Sequence, residues 1–379
     1  MILFNQPHIT GKEIEYIREA IAAKHLSGNN FFTKKCQEWL EKKFGFQKIL
    51  LTPSCTDALE MAAILIDIQP EDEVIMPSYT FTSTANAFIL RGAKIIFADS
   101  ETETPNIDAD QIEKLITEKT KAIVPVHYAG VACDMDKIMA LADKYRLAVA
   151  EDAAQAIDAF YKGRPLGSIG HFGAFSFHET KNITCGEGGA LAINDQKFNR
   201  RAEIVWEKGT NRAEFFRGEV NKYGWTDIGS SFLPSDITAA FLYAQLGALA
   251  EIQAKRIGLW RRYYGNLQGL AEKKMIKLPV VPNYATNNAH TFYFTCADNS
   301  ERDKLIAFLK DNGITASFHY LPLHQSAFFK NKRSGAGLER CERFSDTLVR
   351  LPLFCDLKPE EADFICEKIK TFFNFKQYG

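Results

Sequence analysis

Short apolar runs alternate with amphipathic stretches through the first half of the chain. Lys48–Thr52, Glu73–Pro77, Lys94–Ala98, Ala122–His127, Leu147–Glu151, Gly173–Phe177 and Ala190–Asn194 are rich in Val, Ile, Leu, Ala and Phe. Runs of that length and content predict strands buried on both faces. Between them the apolar positions recur with a helical period. Asp57–Ile68 places Leu59, Ala62, Ala63 and Ile66 on one stripe, and Asp136–Tyr145 places Ile138, Leu141 and Ala142 on another. Strand–helix alternation implies crossover connections, a mostly parallel sheet and helices on both of its faces.

Beyond about residue 235 the pattern changes. One long helix is predicted from Asp236 to about Gly269, with Ser235 as its cap, followed by the proline-bearing stretch around Pro279 and Pro282. His290–Cys296 and Thr315–Tyr320 read as strands, and Asp303–Asn312 and Pro359–Phe373 as helices. The expectation is a large α/β domain over 1–245 and a smaller α+β domain over 246–379. No internal repeat or low-complexity linker interrupts them.

Composition narrows the class. The 379 residues are 46% hydrophobic and 25% charged, with 46 basic against 47 acidic side chains. A formal net charge of −1 gives no global attraction for nucleic acid or for an anionic membrane. No apolar run is long enough for a transmembrane helix, and MILFNQPHIT lacks the basic start and apolar core of a secretory signal. The eight cysteines contain no CxxC pair and the eight histidines no HxxxH spacing, so no metal site is expected. Reduced thiols and a cytoplasmic location are the plain reading.

Four short segments carry candidate chemistry. In EDAAQ, 151–155, a predicted strand ends in carboxylates, where open α/β sheets hold ligands. Asp152 there can equally be a helix cap. FSFHETKNITCGEGGA, 175–190, runs from a strand into a polar turn with Lys181, then into glycines. A positioned, partly desolvated amine suits covalent carbonyl chemistry; a solvated lysine and an ordinary turn are the plain alternative. LTPSCTDALEMAAIL, 51–65, sets Ser54, Cys55 and Thr56 at a helix start, as a phosphate cup or a simple cap. PSYTFTSTANA, 77–87, offers Phe81 as a stacking ring or a core residue. Taken together the four segments are the parts of a pyridoxal phosphate site.

These segments, with DEVIMPSYTFTSTANA, VPVHYAGVACDMD and FHYLPLH, resemble the DegT/DnrJ/EryC1/StrS sugar-nucleotide aminotransferases over essentially the whole chain. The resemblance implies the pyridoxal-phosphate-dependent type I fold of aspartate aminotransferase, with a mixed, mostly parallel seven-stranded sheet and a smaller α+β C-terminal domain. It implies that Lys181 binds the cofactor covalently and moves the proton, and that Asp152 pairs with the pyridine nitrogen. Gln155 would lie near the ring hydroxyl and Phe81 would stack on the ring. Ser176, Thr56 and the backbone amide of Cys55 would hold the phosphate, with Ser54 nearby. Many members carry an asparagine that reaches the partner subunit's phosphate; here Ser231 stands at that position, followed by Pro234. A homodimer with sites at the subunit interface is implied.

Related dehydratases carry histidine at the lysine position, so Lys181 favours transamination. The stretches LTPSCT, FHETKN, EKGTNRAEFFRG, DIGSSF and RLPLF narrow the resemblance toward enzymes that transfer an amino group from L-glutamate to C4 of dTDP-4-keto-6-deoxy-D-glucose, giving the galacto amine. Amination with gluco stereochemistry, at C3, or on another nucleotide sugar is the alternative. Lys208, Arg212 and Arg217 are candidates for the nucleotide diphosphate. His319 and His324 are candidates to face the sugar, and His127 and Tyr128 to lie above the ring. No arginine stands out as specific for the amino donor.

Overall fold

The computed structural model describes residues 1–329 and 337–378. In chain order the strands of the first lobe are β1 (Lys48–Thr52), β2 (Glu73–Pro77), β3 (Lys94–Ala98), β4 (Thr120–Ile123), β5 (Ala148–Asp152), β6 (Phe160–Tyr161), β7 (Arg164–Pro165), β8 (Phe172–Ser176) and β9 (Gly189–Ile193). Seven of them form one sheet in the order β1-β9-β8-β5-β4-β2-β3, and β6 pairs with β7 in a separate hairpin. Within the large sheet β9 runs antiparallel to both neighbours, whereas every other pairing is parallel. Six strands therefore end at one common edge. Asp152 and Ser176 are the last residues of β5 and β8, and Gly189, the first of β9, lies opposite Ser176 and Thr52 at the same edge.

Helices flank this sheet: α1 (Glu13–Ala22), α2 (Phe31–Phe44), α3 (Cys55–Leu65), α4 (Thr82–Ile89), α5 (Ala109–Ile112), α6 (Met135–Tyr145), α7 (Asn199–Trp206), α8 (Arg212–Phe216) and α9 (Asp236–Gly247). The two-residue period of the strands divides the core between its faces. Ile49 and Leu51 pack with α2, α6 and α9, while Leu50 packs with α3, α4 and α7. Both faces are dry, which is why these strands read as continuous apolar runs rather than alternating ones.

The predicted helix over 236–269 is in fact two. The chain turns at Ala248 (φ −98°, ψ 1°) between α9 and α10 (Leu249–Glu272). Good helix formers on both sides of Gly247 hide the break from a periodicity argument. Beyond α10, β10 (Phe292–Thr295) and β11 (Leu348–Leu351) make an antiparallel pair. They pack with α10, α11 (Asn299–Asp311) and α13 (Pro359–Tyr378), while α12 (Glu339–Thr347) leads into β11. The strand expected over 315–320 does not form: it touches β11 through one bridge, Ser317 to Arg350, and then leaves toward the sheet edge. The N-terminal residues touch both lobes: Ile2 bridges Ile314 and His8 Nδ1 lies 2.8 Å from Asp356 in the smaller one, while the His8 carbonyl accepts from Gln245 Nε2 of α9 at 2.8 Å. Among the described residues no helix is long and apolar enough to cross a membrane.

Glu151 fixes the end of β5 from behind. Its side chain is fully buried and accepts the amides of Gly167, Ile169 and Gly170 at 2.7–2.8 Å and His127 Nε2 at 2.9 Å. Truncation leaves four buried donors without an acceptor, and each costs about 1–3 kcal/mol. Glu151→Ala is therefore expected to lose about 3 kcal/mol or more of stability in urea unfolding, against a change near zero for Glu103→Ala on the surface.

Candidate active site

The common strand edge opens into a cavity of about 490 Å³ between the lobes. Its anion-binding end is the start of α3. Ser54 caps that helix, accepting from Asp57 N at 3.1 Å and donating to the Asp57 carboxylate at 2.7 Å. The first-turn amides of Cys55 and Thr56 have no acceptor within the helix, so they and the helix dipole face an incoming anion. Thr56 Oγ1 lies 2.8 Å from Ser83 Oγ, and Ser176 brings a third hydroxyl from β8. A Cβ at Gly189 would stand 2.3 Å from the Ser54 carbonyl carbon and 2.5 Å from Cys55 N. Only glycine lets β9 pass beneath this turn.

Asp152 stands deeper. It is 5% exposed and accepts from Thr84 Oγ1 at 2.7 Å and from Ala154 N at 3.1 Å. Burial pushes its carboxyl above the usual range, and the Thr84 and Ala154 hydrogen bonds, then Lys181 and His127, oppose that shift. Among the described residues it takes part in no ion pair at contact distance. A buried carboxylate of this kind is completed by a cation that arrives with a ligand. Gln155 follows one turn later. Its Oε1 accepts from Ala129 N at 2.6 Å, which leaves Nε2 to donate into the cavity, where it meets Tyr320 OH at 3.2 Å.

Lys181 lies on the turn after β8. Its neighbour Asn182 is buried and anchors the turn, donating to Gln253 Oε1 and the Asn288 carbonyl and meeting His290 Nδ1 at 2.9 Å. Burial pushes the Lys181 amine below its ordinary value; Cys55 and Asp152 pull it back, and Arg350 pushes the same way as burial. Desolvation therefore enlarges the share of free amine, the form that can add to a carbonyl or accept a proton. Phe81 lines the same cavity yet is 56% exposed, with Tyr320 as its ring neighbour at 6.1 Å.

An anion cup, an exposed aromatic ring, a buried carboxylate lacking a cation at contact distance, an amide donor and a desolvated lysine fit pyridoxal phosphate, whose ring nitrogen Asp152 would meet. Cys55, Thr56, Phe81, Asp152, Gln155, Ser176 and Lys181 all line this one space.

Arg350, in β11, is the residue that motif reading missed. It is 8% exposed, lines the cavity, and donates from Nε to Thr291 Oγ1 at 3.1 Å and from Nη1 to His319 Nδ1 at 3.2 Å. Among the described residues it has no ion-pair partner. An arginine inside the apolar run LVRLPLF was the available signal, because a charge there must be buried. His319 also lines the cavity. Burial, with help from Arg350, lowers its pKa to about 4, so the ring is neutral near pH 7. With Nδ1 accepting from Arg350, its proton sits on Nε2.

Other candidates lie elsewhere. His127 is fully buried behind the strand end on Glu151 rather than above the ring, and the Tyr128 hydroxyl donates to the His319 carbonyl. His324 is bound by Ser78 and Glu342. Lys208, Arg212, Arg217 and Ser231 sit on the 207–231 segment, outside the lining of the cavity in their own chain. Arg217 is taken up by Glu203 and Glu219 at 2.9 and 2.7 Å, and Arg212 lies over Phe216 and 4.0 Å from Glu207. Lys208 donates its amide to the Ser230 carbonyl, and Ser231 is exposed and bridges Glu207.

Solved structures share this architecture over the whole chain. Spr1654 from Streptococcus pneumoniae, assigned as a sugar aminotransferase, is 27% identical with a TM-score of 0.91 in its PMP form, covering 98% of this chain and 99% of that one. Its PLP form gives 0.90. The aminotransferase TlmJ from Streptoalloteichus hindustanus is 27% identical over 100% of both chains, with a TM-score of 0.91. An aminotransferase from Psychrobacter cryohalolentis is 26% identical over 99% of each, with a TM-score of 0.92. The model of the DegT/DnrJ/EryC1/StrS aminotransferase family matches residues 7–370. The chain, with its lysine, carboxylate and anion cup at one sheet edge, belongs to that family and is a transaminase that works with pyridoxal 5'-phosphate.

Proposed function

We propose that the protein transfers an amino group from L-glutamate to C4 of dTDP-4-keto-6-deoxy-D-glucose, giving dTDP-4-amino-4,6-dideoxy-D-galactose. The observation that carries transamination is Lys181, a desolvated amine in one cavity with the buried Asp152. The narrower substrate is supported by the sequence stretches LTPSCT, FHETKN, DIGSSF and RLPLF, which resemble dTDP-4-amino-4,6-dideoxygalactose transaminase of enterobacterial common antigen synthesis. A cytoplasmic enzyme that supplies this sugar for a surface polysaccharide is the corresponding reading.

Pyridoxal phosphate, when bound, supplies the electron sink that lets a proton leave the carbon bearing nitrogen. The rest of the work belongs to the chain. Cys55 and Thr56 amides with the Ser176 hydroxyl hold an anion at one end of the cavity. Asp152 holds a proton on a ring nitrogen by charge, Gln155 Nε2 offers a donor to a ring oxygen, and Phe81 gives an apolar face. Lys181 Nζ is the base that takes the proton from the donor carbon and returns it to the acceptor carbon. Arg350 and the Nε2–H of His319 offer donors to a carboxylate of the incoming amino acid.

A homodimer fits the 207–231 segment. Phe216, Tyr223 and Trp225 are 69%, 52% and 85% exposed there, and Ser231 and Lys208 lie apart from their own cavity. A second copy would bury these aromatics and bring the segment to the neighbouring site.

The proposal is tested by NMR of the product formed from dTDP-4-keto-6-deoxyglucose and glutamate. An axial C4 amine supports it; an equatorial C4 amine or a C3 amine replaces the product, and no amination by the holoenzyme sinks the substrate. Lys181→Ala is expected to lose at least about a thousandfold in kcat while keeping its fold. Arg350→Lys gives up the planar fork, so KM for glutamate is expected to rise about tenfold or more while KM for the keto sugar stays put. His319 takes a proton only as pH falls toward about 4. Its Nδ1 would then no longer accept from Arg350, so KM for glutamate is expected to be flat from about pH 8 to 5.5 and to rise below that. A rise centred near 6.5 would remove His319 from the account.

A further inference from the structure

The His319 carbonyl is gripped by two hydroxyls from the other lobe. Tyr79 follows the end of β2 and Tyr128 follows β4; they are 1% and 2% exposed, and their rings are 5.4 Å apart. Tyr79 OH donates to His319 O at 2.5 Å and Tyr128 OH donates to the same oxygen at 2.8 Å. A carbonyl oxygen has two lone pairs, so this acceptor is filled. Burial raises both phenols well above their ordinary range, so they remain O–H donors at any working pH.

The consequences run into the site on both sides of that carbonyl. The His319 ring accepts from Arg350, and the next residue, Tyr320, meets Gln155 Nε2 at 3.2 Å. Gln155 is itself fixed by Ala129, the residue after Tyr128. Further along, Leu323 N donates to Ser78 O at 2.9 Å, and His324 Nδ1 lies 2.7 Å from Ser78 Oγ. The 319–324 segment has no regular secondary structure up to Pro322 and no sheet to hold it, so its place over the cavity depends on these cross-lobe bonds.

We propose that Tyr79 and Tyr128 form a redundant clamp between the lobes, positioning residues that hold the His319 carbonyl and thereby set the Arg350–His319 donors for the amino donor's carboxylate. The inference rests on the reading of that pair given above. Because either hydroxyl alone still satisfies the carbonyl, the loss is strongly non-additive. Both residues act through His319 and touch no reacting atom.

The test compares Tyr79→Phe, Tyr128→Phe and the double variant as holoenzymes, reading KM for glutamate, kcat and amide exchange over 318–323. Each single variant is expected within about threefold of wild type in kcat/KM for glutamate. The double variant is expected to lose about thirtyfold or more, carried by KM, with at least about tenfold faster exchange in the segment and an unchanged cofactor absorption band. A double variant equal to the product of the singles, or unchanged exchange, overturns the clamp. Tyr293→Phe serves as a packing control, since its ring lies 5.7 Å from Tyr128 and it makes no bond to His319. Exchange accelerated equally by that variant and by the singles would assign the effect to ring packing and overturn the proposal, even if the double variant fails to fold. Faster exchange with an unaltered KM for glutamate would leave the hydroxyl pair as a clamp and overturn its role at the carboxylate.

Discussion

A carboxylate buried without a counter-ion is the constraint around which the molecule is arranged. Asp152 ends the central parallel strand β5, where desolvation favours its neutral form, opposed by one hydroxyl, one amide and the charges of Lys181 and His127 at longer range. Standing alone it is a liability of several kcal/mol. On the function proposed, the protonated ring nitrogen of the cofactor would complete it, and its charge would keep that ring electron-deficient. The lobe pays for the arrangement through Glu151, one residue earlier, whose four donors fix the strand end from the opposite face.

The sheet topology explains how distant residues meet there. Parallel pairing brings the ends of β5 and β8 to one edge, and the antiparallel β9 starts at that edge with Gly189 beneath α3. The anion cup, Asp152 and the Lys181 turn are thus three consequences of one register. The smaller lobe adds a second charge pattern. Arg350 is a cation without an acid partner among the described residues, placed against a histidine that burial keeps neutral. Cation and anion line one cavity, and neither has an ion-pair partner at contact distance among the described residues.

Much of this was legible in the sequence because it is local. Strand, turn and functional residue are contiguous in EDAAQ, in FSFHETK and in LTPSCT, so a strand prediction also locates the side chain. β1, β2 and β3 begin and end where the apolar runs do. What was hidden is non-local. Arg350 reaches the cavity only because β11 pairs with β10 more than fifty residues earlier and because the 315–320 stretch leaves the sheet after one bridge. His127, at a strand end, reads as a candidate to lie above the ring, but its partner, Glu151, comes from the neighbouring strand and holds its side chain buried. The Ala248 break was invisible because helix propensity is high on both sides of it. The family resemblance named positions; it did not say which side chains their neighbours had already engaged, as with Arg217 between two glutamates.

The central claim, that Asp152 supplies the charge on which the chemistry depends, is tested most directly by the half-reaction with glutamate. Holoenzyme of wild type and of Asp152→Asn would be mixed with L-glutamate and followed through the cofactor absorption band and the 2-oxoglutarate released. The isosteric change keeps the Thr84 contact but removes the charge. Both proteins are expected to bind the cofactor, with a conversion rate lower by about a thousandfold or more in Asp152→Asn. Conversion within about tenfold of wild type would contradict the claim.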